Sequence, residues 1–462
     1  MAEPYDSAVS TGSVTNAIWE ENNNVPVELY MRLRGKTEGL FPISDRAFTG
    51  EAFRRKIVHA PYTGARTSAQ RGSLPAPAGF DRETFTINRD DLTRVTASIR
   101  INEEDLRAAV GDENATIDLV EDSVRQIRES VPNRVAIAMH GKKSGLLALI
   151  NGTPTDEDGT TYTSGQEDSR FAIDNGSIAY FLAEDLELEV RAPGAGSLRV
   201  AAGVKVEDVY VESKEITVSS ITAGQNHNAV ADNDELYFKG EGANNTGMLG
   251  FDHWYQSGRT LATTADDVYG KVRTAATIGH RKWVPNEFSG GNDQLILSDI
   301  DTALVPLGYF NSNMDVQGDK LVRTKNLVFT ADIDMTNRIM DLMDSSKRVM
   351  VPATRENSRL VADSGFDGLI HHNPITGPLH FTGDQFSPPN VVRIIDPSSW
   401  EWVMLGRPGF LTPPGAPRAQ IWKQIVDTGG TEHATYQATW FQLINLVTWG
   451  AKRNTQVYNV TT

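Results

Sequence analysis

Residues 116–140 read TIDLVEDSVRQIRESVPNRVAIAMH, and this stretch decides the fold that the sequence predicts. Its apolar residues recur at spacings of three and four, which predicts one long amphipathic helix with a single buried face. Asn114 or Thr116 can cap the start of this helix, and Gly141 ends it. Pro132 should kink it near its middle. The apolar stripe indicates a structural core and not a cofactor site, and it consists of Ile117, Val120, Val124, Ile127, Val131, Val135 and Ala138.

Two segments that reach outward precede the helix. Residues 1–52 form a polar arm in which Trp19 is an apolar anchor for a partner's groove, and a frayed tail is the alternative. Residues 53–100 form an extended loop whose flanking runs predict a long two-stranded excursion with an irregular tip. A solvated loop is the alternative here, but the length and one-sided charge favour a contact with an acidic neighbour. Between residues 53 and 82 a single acid, Asp81, stands against the cations Arg54, Arg55, Lys56, Arg66, Arg71 and Arg82.

The composition excludes several classes of protein. The chain has 462 residues, a formal net charge of −16 and no cysteine, so disulfides and cysteine-ligated metals are excluded. An acidic chain is a poor general binder of nucleic acid, because duplex binding needs clustered cations. The first residues resemble no secretory signal, and no run is apolar and long enough for a membrane helix. The length allows two to three domains or one elaborated domain.

The segments after the helix mix strands and helices. Residues 186–242 alternate apolar and polar residues between short loops, which predicts a small antiparallel β unit inserted in a mixed domain. Helix and strand patterns alternate after it, and residues 439–449 form one or two long aromatic strands. The sequence therefore predicts an α+β protein.

No motif in the sequence points to chemistry. Residues 141–144 resemble the end of a phosphate loop, but Ala136 occupies the place of the leading glycine. Asp156, Asp158 and Glu167 resemble a calcium loop only in passing, because Thr161 replaces its glycine. Three histidines at positions 371, 372 and 380 lack a spaced carboxylate. We therefore expect no catalytic residue, no cofactor and no metal.

Taken in order, these parts resemble the major capsid protein of tailed double-stranded DNA bacteriophages, from about residue 17 to the end. The run Val349-Met350-Val351-Pro352-Ala353-Thr354 is similar to the family's strand, proline and helix in the axial domain, and residues 375–379 to its later glycine-proline turn. The resemblance implies the tailed-phage capsid fold: N-terminal arm, extended β-hairpin loop, long spine helix, mixed axial domain and a small inserted β unit. The implied domains are arm 1–52, extended loop 53–100, peripheral domain with spine helix 101–141, axial domain 142–185, inserted β domain 186–242, axial domain 243–390, peripheral return strands 391–454 and final axial strand 455–462.

The resemblance also implies a non-enzymatic function in the virion. Homo-hexamers and homo-pentamers would close an icosahedral shell around DNA, with assembly in the host cytoplasm and no membrane contact. A portal, decoration or cement proteins and a separate scaffolding protein are the implied partners, because no scaffolding segment precedes the arm. The loop tip carries no lysine, so covalent cross-linking is not expected. Each loop would lie over a neighbour's spine helix, and the implied inter-subunit contacts are Trp19, Arg54, Arg55, Arg66, Arg71, Glu121 and Asp122.

Two other functions stay open at this point. The first is a nucleic-acid-binding protein that uses the basic loop 53–82 as its probe, and the acidity of the whole chain weighs against it. The second is an uncharacterised β-rich hydrolase, for which the sequence shows no recognisable nucleophile and base.

Overall fold

The computed structural model shows an α+β protein. It describes residues 37–44, 52–58, 82–102, 127, 131–142, 144–156, 168–173, 181, 186–194, 196–222, 225, 227–241, 247–255, 267–269, 271–272, 283–310, 314–317, 320–323, 327–345, 370–373, 377–411, 422–425 and 435–461. Within these residues, no helix combines the length and the apolar character that crossing a bilayer requires.

The elements are numbered here in chain order. The helices are α1 (residues 131–140), α2 (Phe251–Trp254), α3 (Leu297–Phe310) and α4 (Ile333–Ser345). The strands are β1 (Ala52–Val58), β2 (Arg82–Asn88), β3 (Thr93–Asn102), β4 (Ala148–Leu149), β5 (Asp168–Ala172), β6 (Glu187–Arg191), β7 (Val204–Tyr210), β8 (Glu215–Ser220), β9 (Glu235–Phe238), β10 (Asp267–Val268), β11 (Lys271–Val272), β12 (Asn286–Gln294), β13 (Met314–Gln317), β14 (Lys320–Arg323), β15 (Leu327–Ala331), β16 (Ile370–Asn373), β17 (Gly377–Gly383), β18 (Val391–Ile395), β19 (Trp400–Phe410), β20 (Trp422–Ile425), β21 (Thr435–Thr448) and β22 (Thr455–Thr461).

A first sheet is built on the long strand β21, and we call it the long-strand sheet. Strand β3 pairs along one edge of β21, and β19 and β20 pair with successive parts of the other edge, all antiparallel. Helix α1 shares one apolar core with this sheet through Val131, Val135 and Met139. The helix predicted for residues 116–140 is confirmed over residues 131–140 and at Ile127, whereas residues 103–126 and 128–130 lie outside the described part.

The second sheet closes on itself as a six-stranded antiparallel barrel in the order β4-β9-β6-β7-β8-β5. Bridges from Ile150 to Ile173 and from Thr155 to Arg170 join the chain after β4 to β5. Closure leaves no strand edge unpaired at this seam, which removes a template for aggregation. The β unit predicted for residues 186–242 is therefore present but larger, because β4 and β5 come from residues 142–185, which we had expected in the axial domain. Strand β4 has only two residues, and β5 carries the polar Ser169 at a buried position, so neither shows an apolar–polar period in the sequence.

The third sheet is mixed, in the order β12-β22-β18-β15-β17-β16, with β12–β22 and β15–β17 parallel. Helices α3 and α4 share its apolar core. Strand β22 lies in this sheet, and the assignment of residues 455–462 as a final axial strand stays a prediction. Strand β18 lies here as well, although we had expected residues 391–454 to form only peripheral return strands. Its run Val391–Ile395 is buried at four of five positions, which is typical of a central strand.

The end of the predicted arm is part of the core. Phe41 is buried against the rings of Phe251 and Trp400. Ile43 forms a parallel bridge with Trp402 of β19. Residues 37–44 thus dock on the long-strand sheet, so an arm that extends to residue 52 is too long by at least this segment.

A buried polar network joins the three cores at one point. Arg393 of β18 donates from Nη1 to Nδ1 of His140 over 2.9 Å and from Nε to Oε1 of Gln456 over 3.1 Å. Its Nη2 forms an ion pair with Asp252 of α2. His140, the last residue of α1, lies with Nε2 3.3 Å from Oδ2 of Asp384, just after β17. Arg393 and His140 are fully buried, so helix α1 is tied to the mixed sheet without solvent between them.

The network fixes the protonation of its members. An arginine can only donate, so Nδ1 of His140 accepts and Nε2 carries the hydrogen that reaches Asp384. Burial alone raises the pKa of Asp384, but its interaction with His140 and hydrogen bonds from Thr37 and the backbone N–H of Phe386 outweigh burial and hold that pKa well below its usual range. Phe386 itself is buried in the barrel core, so the same segment ties the barrel to the junction.

We expect Arg393→Met to lower the free energy of unfolding by about 3–5 kcal/mol, because it leaves Nδ1 of His140, Oε1 of Gln456 and the carboxylate of Asp252 without their donor. Arg393→Lys is the matched control, which keeps the charge but not the two-pronged geometry, and should cost less. Urea unfolding followed by tryptophan fluorescence measures both. A loss below about 1 kcal/mol for Arg393→Met would contradict a central role for this network.

Candidate functional site: a basic hairpin clamped to the core

Strands β1 and β2 form a separate antiparallel hairpin, as the sequence predicts. The register places Phe53 opposite Ile87 and Arg55 opposite Phe85, so these four residues share one face. Phe53, Phe85 and Ile87 are buried in the core of the long-strand sheet. A two-stranded hairpin is marginal by itself in water, so this buried face is what holds it in place.

An aromatic socket receives the buried face of the hairpin. The ring of Phe85 lies edge-on to Trp283, with 4.7 Å between ring centroids, and edge-on to Tyr269 at 5.4 Å. Phe53 stacks on Trp449 with centroids 6.1 Å apart. Trp449 directly follows β21, so the hairpin is fixed to the end of the strand that organises this sheet.

An ion pair completes the clamp. Arg55 donates from Nη1 to Oε2 of Glu401 over 3.0 Å, and its guanidinium lies 4.3 Å from the ring centroid of Trp449. The indole N–H of Trp449 donates to the same carboxylate oxygen. Glu401 therefore holds the hairpin arginine and the socket tryptophan together. The described contacts of Arg55 are thus within its own chain, while its predicted contact with a neighbouring subunit stays a prediction.

Arg54 lies on the opposite face of the hairpin. It is exposed, and within the described part of the chain no ion pair engages it. The hairpin thus presents one inward arginine that is committed to the core and one outward arginine that is available to a partner. Strand alternation alone separates these adjacent residues.

Most of the other predicted contact residues lie outside the described part of the chain. They are Trp19, Arg66, Arg71, Glu121 and Asp122, and their contact roles stay predictions. Sequence reasoning missed the residues that hold the hairpin, Glu401 and Trp449. A carboxylate between two tryptophans, Trp400 and Trp402, is the signal that could have drawn attention to Glu401.

A serine–histidine pair inside the barrel bears on the hydrolase alternative. Ser169 Oγ lies 2.5 Å from Nδ1 of His227, and Ser220 Oγ lies 2.9 Å from Nε2. Ser220 donates its hydrogen to the carbonyl of Gln225 (2.9 Å), so His227 donates from Nε2 and accepts at Nδ1 from Ser169. Ser169 and His227 are both fully buried, so a substrate in solution does not reach them. The imidazole of His227 links Ser169 of β5 to Ser220 of β8, and this buried arrangement gives the hydrolase alternative no support. Among the described residues, no group of three or more His, Asp or Glu side chains is arranged to hold a metal ion.

Acid should lower the stability of the barrel by protonating His227. Burial lowers the pKa of His227 to about 4, from an ordinary value of 6.5. Between these values the unfolded chain binds about one more proton than the folded chain, so stability is complete above pH 6.5 and falls as the pH drops toward 4. The total loss is on the order of 3 kcal/mol. Hydrogen exchange of the β5 and β8 amides against pH measures it.

His227→Gln is the matched variant, because an amide bonds to both hydroxyls and does not titrate. We expect its barrel amides to show a flatter dependence on pH between 6.5 and 4. Equal slopes in the two proteins would contradict the assignment of this transition to His227.

Comparison with known proteins gives likenesses only among solved structures, since no protein-family model and no curated protein matches the chain. A chain of the cyanophage A-1(L) capsid asymmetric unit is 10% identical, with 95% of this chain and 99% of that chain covered and a TM-score of 0.49. A chain of the capsid of Myoviridae phage XM1 is 9% identical, with 92% and 90% covered and a TM-score of 0.39. A chain of the satellite phage P4 procapsid with its size determination (Sid) protein is 9% identical, with 100% and 93% covered and a TM-score of 0.37.

These solved structures are phage capsids, the class of protein that the sequence resemblance indicates. The chain is similar, over 92% or more of its length, to chains of phage capsids.

Proposed function

We propose that this chain is the major capsid protein of a tailed double-stranded DNA phage, which assembles into hexamers and pentamers of an icosahedral shell. The observation that carries the proposal is the clamped hairpin. Its base is fixed by buried aromatic rings and the Arg55–Glu401 pair, whereas its outer face presents Arg54 to solvent. A rigid base under a basic outer face suits a segment that contacts another molecule, because little ordering entropy remains to be lost on binding.

Charge complementarity favours a second copy of the chain as that molecule. The chain carries 60 acidic and 44 basic residues, so another copy offers a basic hairpin an excess of carboxylates. The spine-helix acids Glu121 and Asp122 are the proposed partners of Arg54, Arg66 and Arg71. The same net charge would let packaged DNA lie near the shell without adhering to it.

The junction at Arg393 supports the proposal from another side. A shell subunit transmits force between its contacts, so its layers need a fixed relation. Here the helix end, the mixed sheet and the barrel segment meet in one buried network with no solvent between them. Scaffolding, portal and decoration proteins as partners, assembly in the host cytoplasm and location in the virion follow from the proposal.

Charge reversal of Arg54 and of the predicted contact residues Arg66 and Arg71 tests the proposal. The triple variant Arg54→Glu, Arg66→Glu, Arg71→Glu should leave the melting temperature near that of the unaltered protein, because each exposed pair is worth only about 0.2–1 kcal/mol. Assembly should be abolished or misdirected, because these small terms recur in every subunit of a closed shell. Sedimentation velocity and negative-stain microscopy at low and high salt measure the outcome.

The triple lysine variant at the same three positions is the control, since it keeps the charge and should assemble. Assembly of the glutamate variant as efficient as that of the unaltered protein at low salt would exclude an electrostatic hairpin contact. An unaltered protein that stays monomeric at high concentration in several buffers would exclude the capsid proposal itself. A salt-sensitive gel shift with duplex DNA would instead favour the nucleic-acid-binding alternative.

A further inference from the structure

A cavity of about 110 Å³ lies where the end of α1 meets β3 and the end of β9. Its walls come from all three elements, including Ala138 and Gly141 of the helix end, Val95 of β3 and Phe238 of β9. A water needs on the order of 10–15 Å³ of such volume. The cavity therefore has room for several waters or one small solute, but not for a length of peptide or a nucleotide.

The charged side chains that line the cavity are unbalanced. Arg94, Arg134 and Lys142 are cations, and Glu241 is the one carboxylate among the lining residues that the structure describes. Glu241 is already engaged by Arg134 in an ion pair. Arg94 lies over the ring of Phe441, with 5.0 Å from its guanidinium carbon to the ring centroid. Neither Arg94 nor Lys142 has an ion pair within the described residues.

Local structure explains only part of this arrangement. Lys142 follows the C-terminus of α1, where a cation is favourable beside the last carbonyl groups. Two of those carbonyls, of Ile137 and Ala138, already accept from the N–H of Gly141. Arg94 has no such role, because it comes from β3 and reaches the same cavity from the sheet. Arg134 differs from both, because Glu241 pairs with its guanidinium, which also lies over the ring of Phe238.

We propose that this cavity is a binding site for a small oxyanion of phosphate size, held by Arg94 and Lys142. Guanidinium and ammonium groups bind oxyanions with strong, charge-assisted hydrogen bonds. The one carboxylate, Glu241, stays with Arg134 and does not neutralise the other two cations. This site does not depend on the capsid proposal, since its residues come from a single chain.

Inorganic phosphate is the probe, and the full chain is kept below its assembly concentration. Phosphate should raise the melting temperature more than sodium chloride of the same ionic strength, and titration calorimetry should give a dissociation constant. Arg94→Gln and Lys142→Gln should each weaken phosphate binding by about tenfold, the effect of losing one charge-assisted bond. Arg100→Gln is the matched control, because Arg100 is an exposed arginine on the same face of β3 that does not line the cavity.

Each of the three outcomes that follow would overturn the proposal. No excess effect of phosphate over chloride would mean that the cavity holds only water. An equal effect in Arg94→Gln, Lys142→Gln and Arg100→Gln would place the anion elsewhere on the surface. No phosphate binding, together with an assembly defect in Arg94→Gln and Lys142→Gln alone, would show that the cavity receives a carboxylate of a second copy instead.

Discussion

The buried guanidinium of Arg393 is the interaction on which the arrangement of this protein depends. A charge fully removed from water is tolerated only when its donors are satisfied, and Arg393 reaches His140, Asp252 and Gln456. These acceptors belong to the end of α1, to α2 and to β22. Satisfying one side chain therefore brings the helix, the mixed sheet and the core of the long-strand sheet to a single point. Loss of any one partner leaves a polar group of the network without a hydrogen bond and away from water. The layers therefore keep their relative positions together.

A second hub secures the crossings between the two sheets near this junction. The chain passes from β18 to β19 through residues 396–399 and from β21 to β22 through residues 449–454. Asn454 bonds to both crossings, accepting from the backbone N–H of Asp396 and the indole of Trp400 and donating to Ser399. Because the side-chain amide of Asn454 links these two adjacent crossings, it restricts rotation of one sheet relative to the other.

The two faces of the hairpin in the candidate site differ in burial and in charge. The inner face of the hairpin buries Phe53 and Phe85 and neutralises Arg55 with Glu401, so it resembles an interior. The outer face presents Arg54 with no ion pair in the described part of the chain. Sequence reasoning identified the hairpin and its charge, because strand alternation and one-sided composition are local signals. It treated Arg54 and Arg55 alike, because the carboxylate that separates them lies far along the chain at Glu401.

The sequence by itself determined the classes of element: the helix at α1, the hairpin strands, the alternating β unit and the long aromatic strand β21. Each has a period or a composition that a short window contains. The tertiary structure alone decided that β4 and β5 close the barrel, that β18 joins the mixed sheet, and that residues 37–44 dock on the core. It alone decided that Arg393, in an apolar run, meets His140 and Asp252. Barrel closure and ion pairing join residues that are distant in sequence. The free energy that favours them comes from pairing strand edges and buried charges, and this pairing exists only once the chain has folded.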